Sequence, residues 1–259
     1  GRRTPRENRE QTTHAMTPTT LLFDYGGTLD SGARHWNFVL LDGYRQAAER
    51  FPALRAVDGE VWRAAYVHGE RTLARQPIVT PDDDFRTLLR KKIAVELAFL
   101  REGGTVTLSD ADCAAATDAI ADYCDLAARR HADEARHVLQ TLRDRGYRFV
   151  LVTNFYGNIR AVLRAYGLAD FFPHIVESAV VGVRKPDPAI WQLGIDAAAV
   201  PAASCMAIGD SFSKDIVPAH SLGAQTIWFK GEEWEQKDYD ETLPTHVITA
   251  LPQLLEHLL

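Results

Sequence analysis

Two short apolar runs, Thr20-Leu21-Leu22-Phe23 and Arg148-Phe149-Val150-Leu151-Val152, stop abruptly at polar residues. Runs of that length fit buried strands. Between them lies a long stretch of helical periodicity with little strand character, which divides into about four helices. One spans the residues near His35 to Arg50, with Pro52 after it, and a second starts near Asp58 and carries Val61, Trp62, Ala65 and Tyr66 at helical spacing. The third takes Thr80 as N-cap and Pro81 as first helical residue, and Gly103-Gly104 ends it. The fourth opens at Ser109-Asp110-Ala111-Asp112, which resembles a capping box.

From Ala132 onward strand and helix alternate. A helix near Glu134 to Arg145 ends at Gly146, the Val150 strand follows, and a helix near Asn158 to Tyr166 ends at Gly167. A short strand near Val176 to Val181 leads into Arg184-Lys185-Pro186-Asp187-Pro188, where Asp187 caps the next helix. Met206-Ala207-Ile208 is a strand ending at Gly209-Asp210, a helix runs from about Lys214 to Leu222, and Thr226-Ile227-Trp228-Phe229 is a further strand. This alternation predicts a Rossmann-like α/β core, a parallel sheet with helices on both faces, into which an α-helical unit is inserted. The expected organisation is a polar arm at 1–18, a core of 19–33 and 132–259, and a helical cap at 34–131.

In such sheets ligands bind beyond the carboxyl ends of the strands. Four strands end in polar groups there: Asp24 with Thr28, Thr153 with Asn154, Lys185 just past the third strand, and Asp210 with Asp215. Each alone reads equally as a turn former, a helix cap or a solvated charge. Together at one edge of one sheet they point to a site.

Composition narrows what that site serves. Net charge is −6, from 29 basic against 35 acidic residues, which argues against nucleic-acid binding through backbone contacts but leaves room for a small basic pocket. Cys113, Cys124 and Cys205 are odd in number and lack CxxC pairing, so reduced core thiols in a cytoplasmic protein are expected. No apolar run approaches the roughly 20 residues of a membrane helix. The first 18 residues, GRRTPRENREQTTHAMTP, lack the apolar centre of a secretory signal, and Met16 is a candidate alternative start.

The motifs Asp24-Tyr25-Gly26-Gly27-Thr28-Leu29, Val152-Thr153-Asn154, Arg184-Lys185-Pro186-Asp187-Pro188 and Gly209-Asp210-Ser211-Phe212-Ser213-Lys214-Asp215 resemble, in order, the four motifs of the haloacid dehalogenase superfamily. The resemblance extends from Thr19 to Trp228, and the insertion is similar to the helical cap of one branch. It implies a Mg²⁺-dependent phosphatase acting on a small phosphorylated metabolite. Asp24 would attack phosphorus and form an aspartyl-phosphate. Mg²⁺ would be held by the Asp24 carboxylate, the Gly26 carbonyl and the Asp210 carboxylate. Lys185 would hold the nucleophile and the phosphate oxygens, and Thr153 and Asn154 would donate hydrogen bonds to the phosphoryl group. Asp215, with Ser211, would lie one layer behind and orient Lys185 or a metal-bound water. Gly26 and Gly27 let the backbone turn tightly and approach the phosphate without a Cβ in the way.

The pattern breaks at Gly26. Phosphatases of this family usually carry there a second aspartate, which protonates the leaving group and then activates water, an effect worth about 10²- to 10⁴-fold. Three accounts follow. The substrate is one whose leaving group needs little protonation, such as an acyl phosphate; or a residue such as His35, Asp30 or His68 supplies the proton; or the chain is a phosphate- or nucleotide-binding regulatory module with vestigial turnover. Dehalogenation is disfavoured because those relatives lack the acid matching Asp210. Phosphonate-cleaving relatives use a cap lysine; here Lys91 and Lys92 come late and read as an exposed helix face. Trp36, Phe38 and Trp62 read as cap core or as a pocket lining. Asp82-Asp83-Asp84 reads as a solvated helix start, and Gly231-Glu232-Glu233-Trp234-Glu235 as a surface loop.

Overall fold

The computed structural model describes residues 17–235 and 237–259, so Met16 and the rest of the arm at 1–16 lie outside the described residues. In chain order the elements are β1 (Thr20–Phe23), α1 (Trp36–Ala47), α2 (Gly59–Arg75), α3 (Phe85–Glu102), α4 (Asp110–Asp144), β2 (Arg148–Thr153), α5 (Ile159–Ala165) and β3 (His174–Glu177). They continue with α6 (Ser178–Val181), α7 (Pro188–Ala198), β4 (Cys205–Gly209), α8 (Val217–Ser221), β5 (Gln225–Phe229), β6 (His246–Ile248) and α9 (Leu254–His257).

All the strands are parallel and form one six-stranded sheet in the order β3-β2-β1-β4-β5-β6. Strand β1 is buried over its whole length. Its alternate residues enter different cores: Leu21 and Phe23 pack with Phe149, Leu151, Met206 and Ile208, whereas Leu22 packs with Val150, Val152, Ala207 and Trp191. That continuous apolar run is what a strand covered on both faces requires. Phe23 pairs with Leu151 on one side and Ile208 on the other, so Asp24 leaves β1 beside the last residues of β2 and β4. Because β1 lies between β2 and β4, this edge is also where strand order reverses, the usual crevice for a ligand in an open α/β sheet.

The stretch between β1 and β2 is helical, as its period predicts, but its divisions differ from the expected ones. The fourth inserted helix and the first core helix are one: α4 runs unbroken for 35 residues, about 52 Å, across the expected boundary at 131/132. Neither glycine nor proline occurs between Asp110 and Asp144, and Ala128, Ala132 and Ala135 keep one buried face through the junction. Helix α3 begins at Phe85, not at Pro81, because Asp84 caps it by accepting Thr87 N–H at 2.8 Å, while Asp83 accepts Thr80 N–H at 2.8 Å and folds residues 80–83 into a turn.

The expected strand over 176–181 is shorter and displaced. It ends at Glu177, and one helical turn, α6, follows with Val180 71% exposed at the sheet edge. The helix expected from Lys214 begins instead as a wide π-type turn over Phe212–Ile216 that passes into α8. Strand β6 and helix α9 had no recognisable signal. Among the described residues no helix is long and apolar enough to cross a membrane.

Candidate functional site

Asp24 follows β1 directly and is 6% exposed. Its Oδ1 accepts the Lys185 ammonium at 2.6 Å, and the same Nζ lies 2.7 Å from Asp215 Oδ1. Burial alone would lower Lys185, but the charges of Asp215 and Asp24 outweigh it and hold the ammonium above its ordinary value. The loop carrying Lys185 is fastened by Asn154, whose Oδ1 accepts Lys185 N–H at 2.9 Å and whose amide donates to the Lys185 carbonyl at 3.1 Å. The Asn154 side chain therefore clamps the lysine loop, using its Oδ1 and one of its two amide protons.

Beyond β4, Asp210 is tied to the first loop through Thr28. The Thr28 hydroxyl accepts Asp210 N–H at 3.1 Å and lies 3.1 Å from Asp24 Oδ2 and 3.2 Å from Asp210 Oδ1. Trp228 Nε1 on β5 donates to the Asp210 carbonyl at 2.9 Å. Asp215 accepts Ser211 N–H at 3.0 Å through its second oxygen, so the turn that contains Ser211 presents Asp215 to the lysine. Gly27 has φ +96°, and a Cβ there would lie 2.3 Å from an Asp210 carboxylate oxygen, so only glycine lets these loops meet. Gly26 is different: nothing lies within 4 Å of the place where its Cβ would be, and its φ is not in the left-handed region. No requirement of the backbone accounts for a glycine there.

Asp24, Asp210 and Asp215 offer oxygens that lie within 4.8 Å of one another. Burial, then the charges of Asp24 and Asp215, push Asp210 well above its ordinary value; burial likewise takes Asp215 up to about 6, against the pull of Lys185. Three carboxylates thus face one ammonium, a set short of positive charge. An all-oxygen donor set of this kind suits a hard cation such as Mg²⁺. Beside it, Thr153 Oγ1 is buried and has no hydrogen-bond partner among the described residues. Such an orphaned hydroxyl is costly unless a ligand satisfies it.

The proton-donor candidates separate clearly. Asp30 is 1% exposed, with Oδ1 accepting Gly27 N–H at 2.7 Å and Oδ2 accepting Trp36 Nε1–H at 3.0 Å; burial takes it up to about 7. It braces the loop from behind. His68 is exposed and stacks on Phe99 at 4.6 Å. His35 caps α1 by accepting Asn37 N–H at Nδ1, and burial, with the Lys214 charge, brings it down to about 4.

Several surface expectations are corrected. Lys92 is 3% exposed and ion-paired to Glu70, while Lys91 pairs with Asp83, itself only 8% exposed. Neither lysine lies on a free helix face, and Asp83 is not a solvated helix start. Trp62 is core, packed between the tilted rings of Tyr44 and Tyr66 at 5.1 and 5.6 Å. Trp36 lies edge-on to Phe85 at 4.9 Å, and Phe38 sits under the Arg34 guanidinium at 5.9 Å. The 231–235 segment is a strap across the insertion: Glu232 bridges to Arg34, Glu235 pairs with Arg63 at 2.9 Å, and Trp234 packs on Tyr66 at 5.0 Å. Glu70, Tyr156 and Trp228 carried no signal at the level of motifs.

The profile of the haloacid dehalogenase-like hydrolases matches residues 18–223. Glyceraldehyde 3-phosphate phosphatase of Pyrococcus furiosus is 35% identical over 50% of this chain and 55% of its own. Phosphoserine phosphatase of Thermus thermophilus is 32% identical over 37% of this chain and 39% of its own. The chain spans about half the length of the curated relatives it matches. Among solved structures, a dehalogenase with an intermediate complex superposes with TM-score 0.61 at 19% identity, covering 93% of this chain and 97% of that one. The magnesium-bound putative hydrolase YfnB of Bacillus subtilis gives 0.55 at 22%, covering 94% and 99%. At these identities the superpositions speak for the fold, whereas the profile match takes in all four strand-end motifs: the chain belongs to the haloacid dehalogenase-like hydrolases.

Proposed function

We propose that this protein hydrolyses a small phosphorylated metabolite through an aspartyl-phosphate on Asp24, and that the insertion at 34–131 is the cap over that site. The observation that carries the reading is the charge-deficient cluster of Asp24, Asp210 and Asp215 around the single Lys185 ammonium. Asp24, the Gly26 carbonyl and Asp210 would hold Mg²⁺, which would offset the negative charge of the phosphoryl group. Lys185 aims the Asp24 carboxylate, and Asp215 fixes the lysine in turn. The orphaned Thr153 hydroxyl is suited to donate to a phosphoryl oxygen, with Gly27 leaving room for close approach. The relatives named as phosphatases of glyceraldehyde 3-phosphate and phosphoserine support a small phosphorylated substrate.

Gly26 favours a second reading, a regulatory module that binds phosphate and turns over slowly, since nothing replaces the usual carboxyl at that position. The two readings part on the covalent intermediate. Acid-quenched protein incubated with acetyl phosphate and Mg²⁺ is digested and its peptides weighed. A hydroxylamine-labile phosphoryl group on the peptide containing Asp24 is expected. Tight Mg²⁺-dependent ligand binding with unmodified Asp24 would leave only the binding module.

A further inference from the structure

We propose that Lys92 donates the leaving-group proton that the glycine at position 26 cannot, an inference that rests on Asp24 being the nucleophile. In-line displacement puts the leaving oxygen opposite Asp24, away from the strand ends and toward the insertion. The groups on that side are reached through Tyr156, two residues past Asn154 on the loop that carries Thr153. Its hydroxyl donates to Glu70 Oε2 at 2.8 Å, which ties α2 to the phosphate-side loop. Glu70 Oε1 accepts the Lys92 ammonium from α3. Lys92 is 3% exposed, and its Nζ lies 4.1 Å from the centre of the Tyr66 ring. An ammonium has three donors; one carboxylate and one ring face leave a proton for a ligand.

Of the alternatives, both Asp30 oxygens are taken by N–H donors and His68 is exposed, while His35 caps α1 through Nδ1 and, lowered to about 4 by burial, does not hold the second proton that a general acid of this kind gives up. Burial pushes Glu70 up, but the Lys92 charge and hydrogen bond and the Tyr156 hydroxyl outweigh it, so Glu70 lies below its ordinary value. Glu70 is therefore held as the carboxylate partner of Lys92.

The steps balance. Asp24 forms a bond to phosphorus while the bond from phosphorus to the leaving oxygen breaks, its electron pair staying on that oxygen. Lys92 gives the oxygen a proton, the alcohol departs, and the lysine is left as an amine beside Glu70. Water then attacks the aspartyl-phosphate, the bond between phosphorus and Asp24 breaks, and the amine takes the proton lost by water.

The test is kcat/KM of the full chain with Mg²⁺ on glycerol phosphate, p-nitrophenyl phosphate and acetyl phosphate, whose leaving groups need decreasing protonation. Lys92→Met is expected to lose about 10²- to 10³-fold on glycerol phosphate but less than about threefold on acetyl phosphate. Lys92→Arg, which keeps the charge but cannot give up its proton, should follow Lys92→Met. Glu70→Gln with Lys92→Met removes both charges, guards against misfolding, and should show the same leaving-group dependence. An equal loss on all three substrates, or recovery with arginine, would overturn the inference and leave the Asp24 reading standing. Wild-type protein that hydrolyses none of them would overturn both.

Discussion

The strand ends and the helical insertion bury charge in opposite ways. At the strand ends three carboxylates crowd one ammonium, whereas in the insertion the buried Lys92 is matched by the half-exposed Glu70 and burial takes Glu96 up to about 8, nearly neutral at pH 7. Buried ions are stable only when neutralised. The insertion neutralises its own, by pairing and by protonation. At the strand ends burial likewise raises Asp210 and Asp215, yet three carboxyl groups still meet one ammonium, a donor set suited to a cation and a substrate. That difference sets the strand ends apart from the insertion.

Breaking the balance at the strand ends should have the largest consequence. Lys185→Met leaves Asp24 and Asp215 buried without their cation, and is expected to cost about 3–5 kcal/mol of stability and to abolish turnover. Urea denaturation at pH 7 checks the first, phosphate release the second. Unchanged stability would mean that the cluster is already neutral by protonation.

In the insertion the corresponding change works through pH. Tyr44 donates to Glu96 Oε2 at 3.0 Å, while Oε1 has no partner among the described residues. A carboxyl raised from its ordinary 4.5 to about 8 on folding binds its proton more tightly in the native state. Its share of stability is therefore complete below the lower value and is lost as pH rises through that window. Glu96→Gln, which mimics the protonated form, should come within about 1 kcal/mol of wild type at pH 5 and exceed it at pH 8 by on the order of 4 kcal/mol. Parallel stability curves for the two proteins would contradict the assignment.

The same contrast explains what could be read from the chain alone. Asp24, Thr153 and Asp210 were legible because each ends an apolar run, and parallel pairing carries such ends to one edge; Lys185, eight residues past β3, was legible from its Arg-Lys-Pro-Asp-Pro motif. The Glu70–Lys92–Tyr156 chain was not, since it joins two helices and a loop across 86 positions, and helical period fixes a face without naming its partner. Two adjacent lysines looked solvated, yet one of a neighbouring pair on a packed helix turns inward. The continuity of α4 was written in the absence of glycine and proline from Asp110 to Asp144, but the change of period nearby suggested a break. β6 covers only His246–Ile248, too short for alternation to stand out.

A milder change sharpens the comparison from the other side. The open space at Gly26 should accept a carboxylate, so Gly26→Asp is expected to leave stability within about 0.5 kcal/mol. It should raise turnover of alkyl phosphates by about tenfold and acyl phosphates hardly at all. Equal rates on both would mean that leaving-group departure does not limit this enzyme.

The central claim is tested most directly by phosphate release across alkyl, aryl and acyl phosphates, with Mg²⁺ or with EDTA, using Asp24→Asn as the blank. The account predicts release that needs Mg²⁺ and falls by on the order of 10⁴-fold or more in the blank. Release that persists in Asp24→Asn, or none above it from folded wild-type protein with Mg²⁺ present, would contradict it.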